Sequence, residues 1–301
     1  MQIIQNRKYY FFLSGLLIAA SLLALFWYGL KPGLDFTGGS LFEVEYSRAR
    51  PTTAAVEQAL QPLVGKISVS PTAEQLGLII KTKHIDEATH QQVIEALSRL
   101  TESQDRLELS EKRFESIGPT VSSQLKKQAV VAALLVSLAI ILYIAFVFRK
   151  VSRPVSSWKY GVVAVLALTH DIAIPVGLFA ILGRYLGVEV DTLFVTALLT
   201  VMGFSVHDTI VVFDRLRENL LKFSRETFEE VVNRSVNQTL VRSINTSVTV
   251  LLVLVAVLLF GGETIRYFIL TLLVGVGVGT YSSIFIASPL LVVWHKFSSK
   301  V

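Results

Sequence analysis

The feature that most constrains this chain is a series of apolar blocks too long for the core of a soluble domain. A helix needs about 20 consecutive apolar residues to cross a bilayer. Only 17% of the residues are charged, against about a quarter in soluble domains. These blocks exclude a soluble enzyme and a secreted domain, and they predict a polytopic α-helical membrane protein. Six membrane-spanning helices are expected at about Tyr9–Leu30, Gln128–Phe148, Gly161–Gly183, Thr192–Phe213, Ser243–Phe260 and Tyr267–Trp294.

Basic residues predict the orientation, because connections rich in Lys and Arg remain in the cytoplasm. They are concentrated before the first span, in the second and fourth connections and after the last span. The opposite short loops carry only Arg184 and Arg266. We therefore expect a multi-pass membrane protein with both termini in the cytoplasm. The net charge of +5 is then a topology signal and gives no reason to expect nucleic acid.

Residues 1–30 are interpreted as an N-terminal tail and a first membrane helix. The block could pass for a cleaved signal peptide, but it is long and ends in the bulky residues 25–28, which favours a retained anchor. Zero cysteines rule out disulfides, thiolate metal sites and cysteine nucleophiles. Residues 128–301 are expected to form a five-helix membrane bundle, in which 214–233 is a charged, amphipathic helix on the cytoplasmic surface. That helix would be a connecting elbow or a docking surface.

Residues 31–127 form the only connection long enough to fold alone, and we expect them to be extracytoplasmic. Alternating and helical patterns predict the order βαββαβ, which is the ferredoxin-like α+β arrangement of a small sheet with helices on one face. Nothing in this domain indicates catalysis, and His84 and His90 are interpreted as solvated residues at helix flanks. The elements fall at Ser40–Tyr46, Thr52–Leu63, Ile67–Ser70, Leu76–Thr82, Asp86–Leu100 and Arg106–Ser116.

Ionisable residues within the spans are the main functional clue, because a charge at the bilayer centre costs about 2.5–3.5 kcal/mol on insertion scales. His170 and Asp171 fall in the third span, and His207 and Asp208 fall in the fourth. Arg242 opens the fifth and shares one helix face with other polar residues, so we pair Arg242 with Asp208. Asp208 could then take up and release a proton while Arg242 supplies electrostatic gating. The other residues on the Arg242 face are Asn245, Thr246 and Thr249.

Simpler interpretations remain open for each residue. Asp208 and Arg242 could form a static ion pair between helices, or Arg242 could extend to the interface. His170 and His207 could be neutral hydrogen-bonding residues. No metal site is expected, because adjacent residues point to different helix faces. In the last span, Gly275, Gly279 and Ser283 form a small-residue stripe that predicts close packing against an unnamed helix.

Several segments together resemble the SecF branch of the SecD/SecF family of bacterial protein-export membrane proteins. They run in family order from residue 33 to the last span, so the resemblance covers nearly the whole chain. One departure is His207, where many relatives have Asn before the aspartate. The matching segments are Gly33–Gly39 (GLDFTGG), Ile117–Val121 (IGPTV), Met202–Asn219 (MGFSVHDTIVVFDRLREN), Asn237–Ser247 (NQTLVRSINTS) and Phe260–Gly262 (FGG).

The resemblance implies a six-span architecture related to the resistance-nodulation-division transporters. It implies that the chain works with SecD, using the proton-motive force to draw preproteins through the SecYEG channel after the ATPase SecA has started them. Protons would be the coupling ion, with no bound cofactor and no enzymatic activity. The family's proton-linked aspartate and arginine match Asp208 and Arg242, and its His-Asp element matches His170 and Asp171.

Gly33, Asp35, Gly38 and Gly39 are interpreted as a structural junction. The glycines permit tight backbone conformations, and the segment lacks the Lys-Ser/Thr ending of a phosphate-binding loop. Two rival functions remain. One is half of a proton-coupled exporter of lipids or small molecules. The other is a passive scaffold of the translocon, in which the charged residues only hold helices together.

Overall fold

The computed structural model describes residues 1–47, 50–72, 76–100, 109–149, 155–223 and 225–298. The chain divides into two compact units, one formed by Met1–Lys31 with Ala129–Val301 and the other by Pro32–Gln128. The second unit corresponds within a residue to the domain expected at 31–127.

The elements follow one another in the order expected from the apolar blocks and the alternating patterns. A 3₁₀ turn at Glu263–Ile265 precedes the helix Arg266–Ser282, and a π-helical turn at Ser283–Ala287 joins that helix to the last one, Ser288–Ser298. In chain order the structure contains α1 Arg7–Tyr28, α2 Leu34–Thr37, β1 Gly39–Tyr46, α3 Thr53–Val64, β2 Ser68–Pro71, β3 Gly77–Thr82, α4 Glu87–Arg99, β4 Leu109–Ile117, α5 Pro119–Val147, α6 Ser157–Leu186, α7 Thr192–Lys222, α8 Phe228–Phe260, α9 Arg266–Ser282 and α10 Ser288–Ser298.

Six helices among the described residues are long and apolar enough to cross a membrane, which confirms the predicted fold class. They are α1, α5, α6, α7, α8 and the composite helix from Glu263 to Ser298. Their burial separates them into two groups. About half of the apolar window is buried in α6, α7 and the composite helix, against 11%, 6% and 11% in α1, α5 and α8. The first group therefore forms the centre of the bundle.

The connection between the fourth and fifth spans differs from the prediction of a separate surface helix at 214–233. The helix α7 continues without a break through Asp214 to Lys222, and α8 begins at Phe228. The start of α8 is fixed by a capping box, in which Thr227 Oγ1 accepts from the backbone N–H of Glu230 and Glu230 Oε2 accepts from the N–H of Thr227. The charged segment is thus the end of one long helix and the beginning of the next.

The N-terminus, the start of α8 and the end of α10 meet at one end of the bundle, which we call the basic end. Asn233 Oδ1 accepts from the backbone N–H groups of Ile3 and Ile4 at 2.9 and 3.2 Å. Glu229 forms ion pairs with Arg7, at 2.5 Å, and with Lys296. The segments expected to share one side of the membrane therefore lie together.

The helices α1 and α6 approach each other closely at Gly177. A Cβ atom on Gly177 would lie 2.3 Å from Ser21 Cβ and 2.4 Å from Ser21 Cα. Since the second of these is a backbone atom, no side-chain rotation could relieve the clash. Gly177 therefore sets the distance between α1 and α6, a constraint that the sequence analysis did not single out.

The second unit has the predicted βαββαβ order. Its four strands form one sheet in the order β2-β3-β1-β4, and all neighbouring strands pair antiparallel. This is the ferredoxin-like arrangement. The strand predicted at Arg106–Ser116 is described from Leu109, because residues 101–108 lie outside the described part of the chain. Alternate residues of β1 and β3 pack on α3 and α4 in a core of Phe42, Val44, Tyr46, Val56, Leu60, Leu78, Ile80, Val93 and Leu97.

His90 is buried, contrary to the expectation of a solvated flank residue. Its ring stacks on Phe114 with centroids 3.9 Å apart, and its two nitrogens hydrogen-bond with Glu87 and Glu111 at 3.1 and 2.9 Å. The reason is its position on α4, where it shares a helix face with the core residues Val93 and Leu97. By contrast, His84 is exposed, as expected.

Candidate functional site

Asp171 lies at the centre of the bundle with no exposed surface. Its Oδ2 accepts hydrogen bonds from Ser205 Oγ on α7 at 2.5 Å and from Ser282 Oγ at the end of α9 at 2.7 Å. Its Oδ1 is 2.9 Å from Nδ1 of His170. Both carboxyl oxygens of Asp171 thus have partners, and the residue joins three helices.

The small-residue stripe of the last span packs against α7, which the sequence could not identify. A Cβ on Gly275 would lie 2.3 Å from Val201 Cγ2, and one on Gly279 would lie 2.9 Å from Ser205 Cβ. One turn further on, Ser283 Oγ is 3.0 Å from Thr209 Oγ1. Two rows of residues at four-residue spacing therefore meet, one on α7 and one on the last span.

Asp208 faces a different side of α7, toward α8. Its side chain is 3% exposed, and Ser243 and Ser247 of α8 approach its carboxyl group. Within the described residues, Oδ2 of Asp208 and Oγ of Ser243 are buried without a hydrogen-bond partner. Ser247 Oγ in turn accepts from Thr280 Oγ1 of α9 at 2.6 Å. Two serine hydroxyls of α8 therefore lie beside the Asp208 carboxyl group, and none of the ion pairs among the described residues involves Asp208.

The predicted pair between Asp208 and Arg242 is not formed, and no described residue makes an ion pair with Arg242. The physical reason is helix rotation. Buried serines of α8, Ser243 and Ser247, face α7, so Arg242 points to the outside of the bundle and is exposed. The rest of its predicted polar face is exposed with it, namely Asn245, Thr246 and Thr249.

The two histidines differ from each other. His170 is buried, and its Nδ1 contacts the neighbouring Asp171 on the same helix, whereas its Nε2 has no partner among the described residues. Its ring lies 6.4 Å from that of Tyr281. His207 is exposed on α7. The structure therefore brings His170 close to a carboxylate between helices, and it leaves His207 at the surface of this chain.

The glycine motif after the first span forms a compact junction within the second unit. A short helix, α2, begins after Gly33 and ends at Gly38, whose N–H donates to the carbonyl of Leu34 at 2.9 Å. Gly38 and Gly39 have φ values of +69° and +131°, and a Cβ on Gly39 would lie 2.5 Å from the carbonyl oxygen of Thr82. Only glycine fits at Gly39, because strand β1 begins at this residue, directly beside Thr82 of β3. Asp35 lies within α2.

The sequence analysis missed the serines that surround the two carboxyl groups. The signal was present in α8, where the small hydroxyl residues Thr239, Ser243 and Ser247 recur every four residues. All three are buried. Such a row is a stronger indication of an inward face than the neighbouring arginine, because a long cation can lie outside the bundle. Among the described residues there is no group of three or more His, Cys, Asp or Glu that could hold a metal ion.

Six apolar helices, an α+β domain between the first two, and two carboxyl groups enclosed by hydroxyls define a polytopic membrane protein with an ionisable intramembrane centre. Comparison with known proteins agrees. The family described as "Protein export membrane protein SecD/SecF, C-terminal" matches residues 96–297, and "SecD/SecF GG Motif" matches residues 24–49. The chain belongs to the SecD/SecF family of protein-export membrane proteins.

Its relatives include two chains named Protein translocase subunit SecF. The chain from Thermobaculum terrenum is 43% identical over 305 residues, covering 98% of this chain and 94% of the relative. The chain from Anaerolinea thermophila is 40% identical over 299 residues, covering 98% and 94%. These values place this chain among protein translocase subunits of the SecF type.

Two solved structures are also similar. The crystal structure of SecDF from Thermus, described as a translocon-associated membrane protein, has a TM-score of 0.80 and 32% identity and covers 98% of this chain. SecDF in a super-membrane-facing form has a TM-score of 0.70 and 32% identity and covers all of this chain. This chain spans 39% of each SecDF chain.

Proposed function

We propose that this chain works with SecD to couple the proton-motive force to preprotein translocation across the bacterial plasma membrane. The observation that carries the proposal is the carboxyl group of Asp208, which is buried in a spanning helix, with one oxygen unpartnered among the described residues. A buried carboxylate charge costs several kcal/mol unless it is paired. Any movement that opens or closes these surroundings would therefore change whether Asp208 holds a proton.

The energy available is sufficient for such a movement. One charge that crosses a potential of 100 mV releases about 2.3 kcal/mol, which is enough to bias two conformations separated by a few kcal/mol. Protons would be the coupling ion, with no bound cofactor. The activity proposed is transport, and no catalytic role is assigned to any residue.

SecD is the proposed direct partner, and the outer faces of α7 and α8 support this. Arg242, Asn245 and Thr249 are exposed on α8, while Gly203 and His207 are exposed on α7. Polar groups in contact with lipid tails are unfavourable, and small residues allow another helix to approach closely. A neighbouring spanning helix would satisfy both requirements. The SecYEG channel, SecA acting indirectly, and an unfolded preprotein complete the proposed assembly, in a lipid bilayer.

The proposed orientation places the basic end in the cytoplasm. Arg7, Glu229 and Lys296 lie there with both described ends of the chain. Clusters of Lys and Arg beside spanning helices are retained on the cytoplasmic side. Residues 32–128 would then face the opposite compartment, where they could act on an emerging polypeptide.

Asp208→Asn tests the function, because the amide keeps the shape of the side chain and cannot exchange a proton. Export of a preprotein is measured in inverted membrane vesicles with and without a proton gradient, with the variant co-expressed with SecD. We expect the stimulation by the gradient to disappear while the complex still co-purifies. Glu263→Gln is the matched control, since this exposed carboxylate lies in the 3₁₀ turn outside the centre. Stimulation that persists at its full level in Asp208→Asn would refute the proposal.

A further inference from the structure

A cavity of about 530 Å³ is lined by residues of α5, α7 and α8 on the outside of the membrane unit. Its volume lies within the range of about 300–1,000 Å³ that is usual for small-ligand sites. Val147 of α5 and the residues Ile210 and Val211 of α7 form its apolar wall. Little of α5 is buried in the bundle, so this helix does not close the cavity off from the bilayer. The cavity is therefore accessible to a ligand that arrives from the membrane.

The cavity lies at the level where the spanning helices change from apolar to charged residues. On α7 the apolar run ends at Phe213, one residue before Asp214, and on α8 it begins at Ser243, one residue after Arg242. On α5, Val147 is the last residue of the helix. Charged side chains are costly in the hydrocarbon core, so this level is the depth of the lipid headgroups on the side of the basic end.

The α8 side of the cavity presents hydrogen-bond donors. Gln238 and Arg242 are exposed and lie four residues apart, and therefore on one face of the helix. Gln238 Oε1 accepts from Arg215 Nε and Asn219 Nδ2 at 2.7 and 2.9 Å, which fixes the orientation of the amide. Its nitrogen and the Arg242 guanidinium make no hydrogen bond within the described part of the chain. A guanidinium beside an amide donor suits a phosphate group, which accepts several N–H bonds at once.

The α7 side of the cavity presents carboxylates. Asp214 and Glu218 are exposed and are also four residues apart. Glu218 Oε2 accepts from Arg215 at 2.6 Å, and Asp214 Oδ1 lies 3.7 Å from Arg217, beyond hydrogen-bond distance. Both carboxylates therefore have lone pairs left to accept further hydrogen bonds. An ammonium group, which carries three N–H donors, suits these acceptors.

We propose that this cavity binds the headgroup of a phospholipid that carries both a primary ammonium and a phosphate, as phosphatidylethanolamine does. The phosphate lies against Gln238 and Arg242, and the ammonium lies against Asp214 and Glu218. Two carboxylates and two guanidinium groups line the cavity, so its net charge is zero, which favours a zwitterionic headgroup over an anionic one. The acyl chains continue along the apolar wall.

The proposed lipid site goes beyond the proposed function, since lipid binding requires neither a proton gradient nor SecD. It also leaves most of the proposed SecD contact free. Among the exposed residues of α7 and α8 assigned to that contact, Arg242 lines the cavity, whereas Asn245 and Thr249 do not.

Native mass spectrometry of the full chain in detergent tests the proposal. The apparent affinity of the first bound lipid is measured for phosphatidylethanolamine, phosphatidylcholine and phosphatidylglycerol, all with dioleoyl chains. The choline group has no N–H donor, and the glycerol group has no positive charge. We expect phosphatidylethanolamine to bind about tenfold more tightly than either, because hydrogen bonds between charged groups are stronger than those between neutral ones.

Two sets of substitutions separate the two sides of the cavity. Arg242→Gln should weaken the binding of all three lipids by about five- to tenfold, since each of them carries the phosphate. The double variant Asp214→Asn with Glu218→Gln should lower the affinity for phosphatidylethanolamine to that for phosphatidylcholine and leave the latter unchanged. Arg184→Gln and Glu263→Gln are the matched controls, because these exposed charges lie outside the cavity, and they should bind all three lipids as the parent does.

Val211→Phe is a second test that keeps every charge, because the larger ring fills part of the apolar wall. It should weaken the binding of all three lipids even if Arg242→Gln does not fold. Equal affinities of the parent for the three lipids would overturn the proposal, as would unchanged binding in Val211→Phe or equal losses in the control variants. Displacement of the lipid by free phosphoethanolamine at the same concentration would also overturn it, since the ligand would then be a small soluble molecule.

The binding experiment contains neither SecD nor a proton gradient. Its result is therefore independent of the export experiment with Asp208→Asn, and the failure of one proposal can be told from the failure of the other.

Discussion

Asp171 and Asp208 carry the same side chain in contrasting surroundings. Asp171 is bonded by Ser205, Ser282 and His170, so its carboxyl group holds α6, α7 and α9 together. Asp208 has an unpartnered oxygen within the described residues. A carboxylate with hydrogen bonds to both oxygens resists a change of its protonation state. A carboxylate with an unpartnered oxygen changes its protonation state more readily when its surroundings change. This contrast fits the proposed function, in which Asp208 exchanges protons, while the bonds of Asp171 hold helices in place.

Asp208 was identified from the sequence, but its neighbours Ser243 and Ser247 were not. An aspartate in an apolar helix is conspicuous because its burial is costly. Its contacts depend on how α8 is rotated about its own axis, and the conspicuous Arg242 suggested the wrong face. The buried row of Ser243 and Ser247 gave the correct one. Small hydroxyl residues are easily overlooked, since they also occur on lipid-facing surfaces with their hydroxyls bonded to the preceding turn.

Tyr46, in the ferredoxin-like unit formed by Pro32–Gln128, allows the effect of burying a single side chain to be tested. Its side chain is fully buried, its hydroxyl has no partner among the described residues, and burial raises its pKa to about 12. The folded state thus favours the neutral phenol, and stability is lost as the pH rises from the unfolded pKa of about 10 toward 12. We expect Tyr46→Phe to remove this loss and, at neutral pH, to leave stability unchanged or higher by about 1 kcal/mol.

The measurement is thermal unfolding of the purified chain in detergent at pH 8 and at pH 10.5, about the pKa of a free tyrosine. The difference in Tm between the two values should be smaller in Tyr46→Phe than in the parent. Tyr9→Phe serves as control because that ring is exposed. If the difference in Tm between the two pH values were the same in all three proteins, the buried Tyr46 hydroxyl would not have the effect described.

At the scale of elements, the sequence predicted that the last span packs closely against another helix, but it did not predict that this helix is α7. The stripe of Gly275, Gly279 and Ser283 announces close packing, since small residues let two backbones approach. Nothing in the stripe names the opposing helix. The answer required the complementary row on α7, where Val201 and Ser205 fill the space that the glycines leave.

Gly177 leads to a sharper prediction, because its clash involves backbone. Gly177→Ala should push α6 away from Ser21 and lower the stability of the chain by about 1–3 kcal/mol, the usual cost of overpacking. Gly203→Ala is the matched control, since a Cβ there meets nothing within 4 Å. That variant should be neutral or stabilising by up to about 1 kcal/mol through helix propensity.

Thermal unfolding of the three proteins in the same detergent makes the comparison. Equal Tm values for Gly177→Ala and Gly203→Ala would show that α1 and α6 can separate freely, contrary to the packing described.

At the scale of the whole molecule, the division into a bundle and a ferredoxin-like domain followed from the sequence. Long apolar blocks and alternating apolar and polar residues are different sequence patterns, so each unit can be recognised separately from the sequence. The ends of the long helices were less predictable. The helix α7 continues past its apolar part to Lys222, because helical hydrogen bonds do not depend on whether the side chains are apolar.

The polar outer face of α8 yields a prediction about assembly. The double variant Asn245→Leu with Thr249→Leu should fold, because both side chains are exposed in this chain. It should lose about five- to tenfold in affinity for SecD, because two interhelical hydrogen bonds at an average of about 0.6 kcal/mol each would be removed. Co-purification at graded detergent concentrations measures the loss.

Thr169→Leu is the control, since this threonine is exposed on α6 and donates to the carbonyl of Val165. Full retention of SecD by the double variant would show that the partner covers another face.

The π-helical turn at Ser283–Ala287 interrupts the α-helical repeat of the last span. Before the turn, buried small residues recur every four positions, at Gly275 and Gly279, and form a narrow face against α7. From the turn onward the buried face is wider, because an i→i+5 turn changes the direction of the side chains that follow it. The buried residues there are Ser283, Ile284, Ile286, Ala287, Ser288, Leu291 and Val292. A single span thereby serves two different packing surfaces, and the transition between them lies next to Ser282, which donates to Asp171.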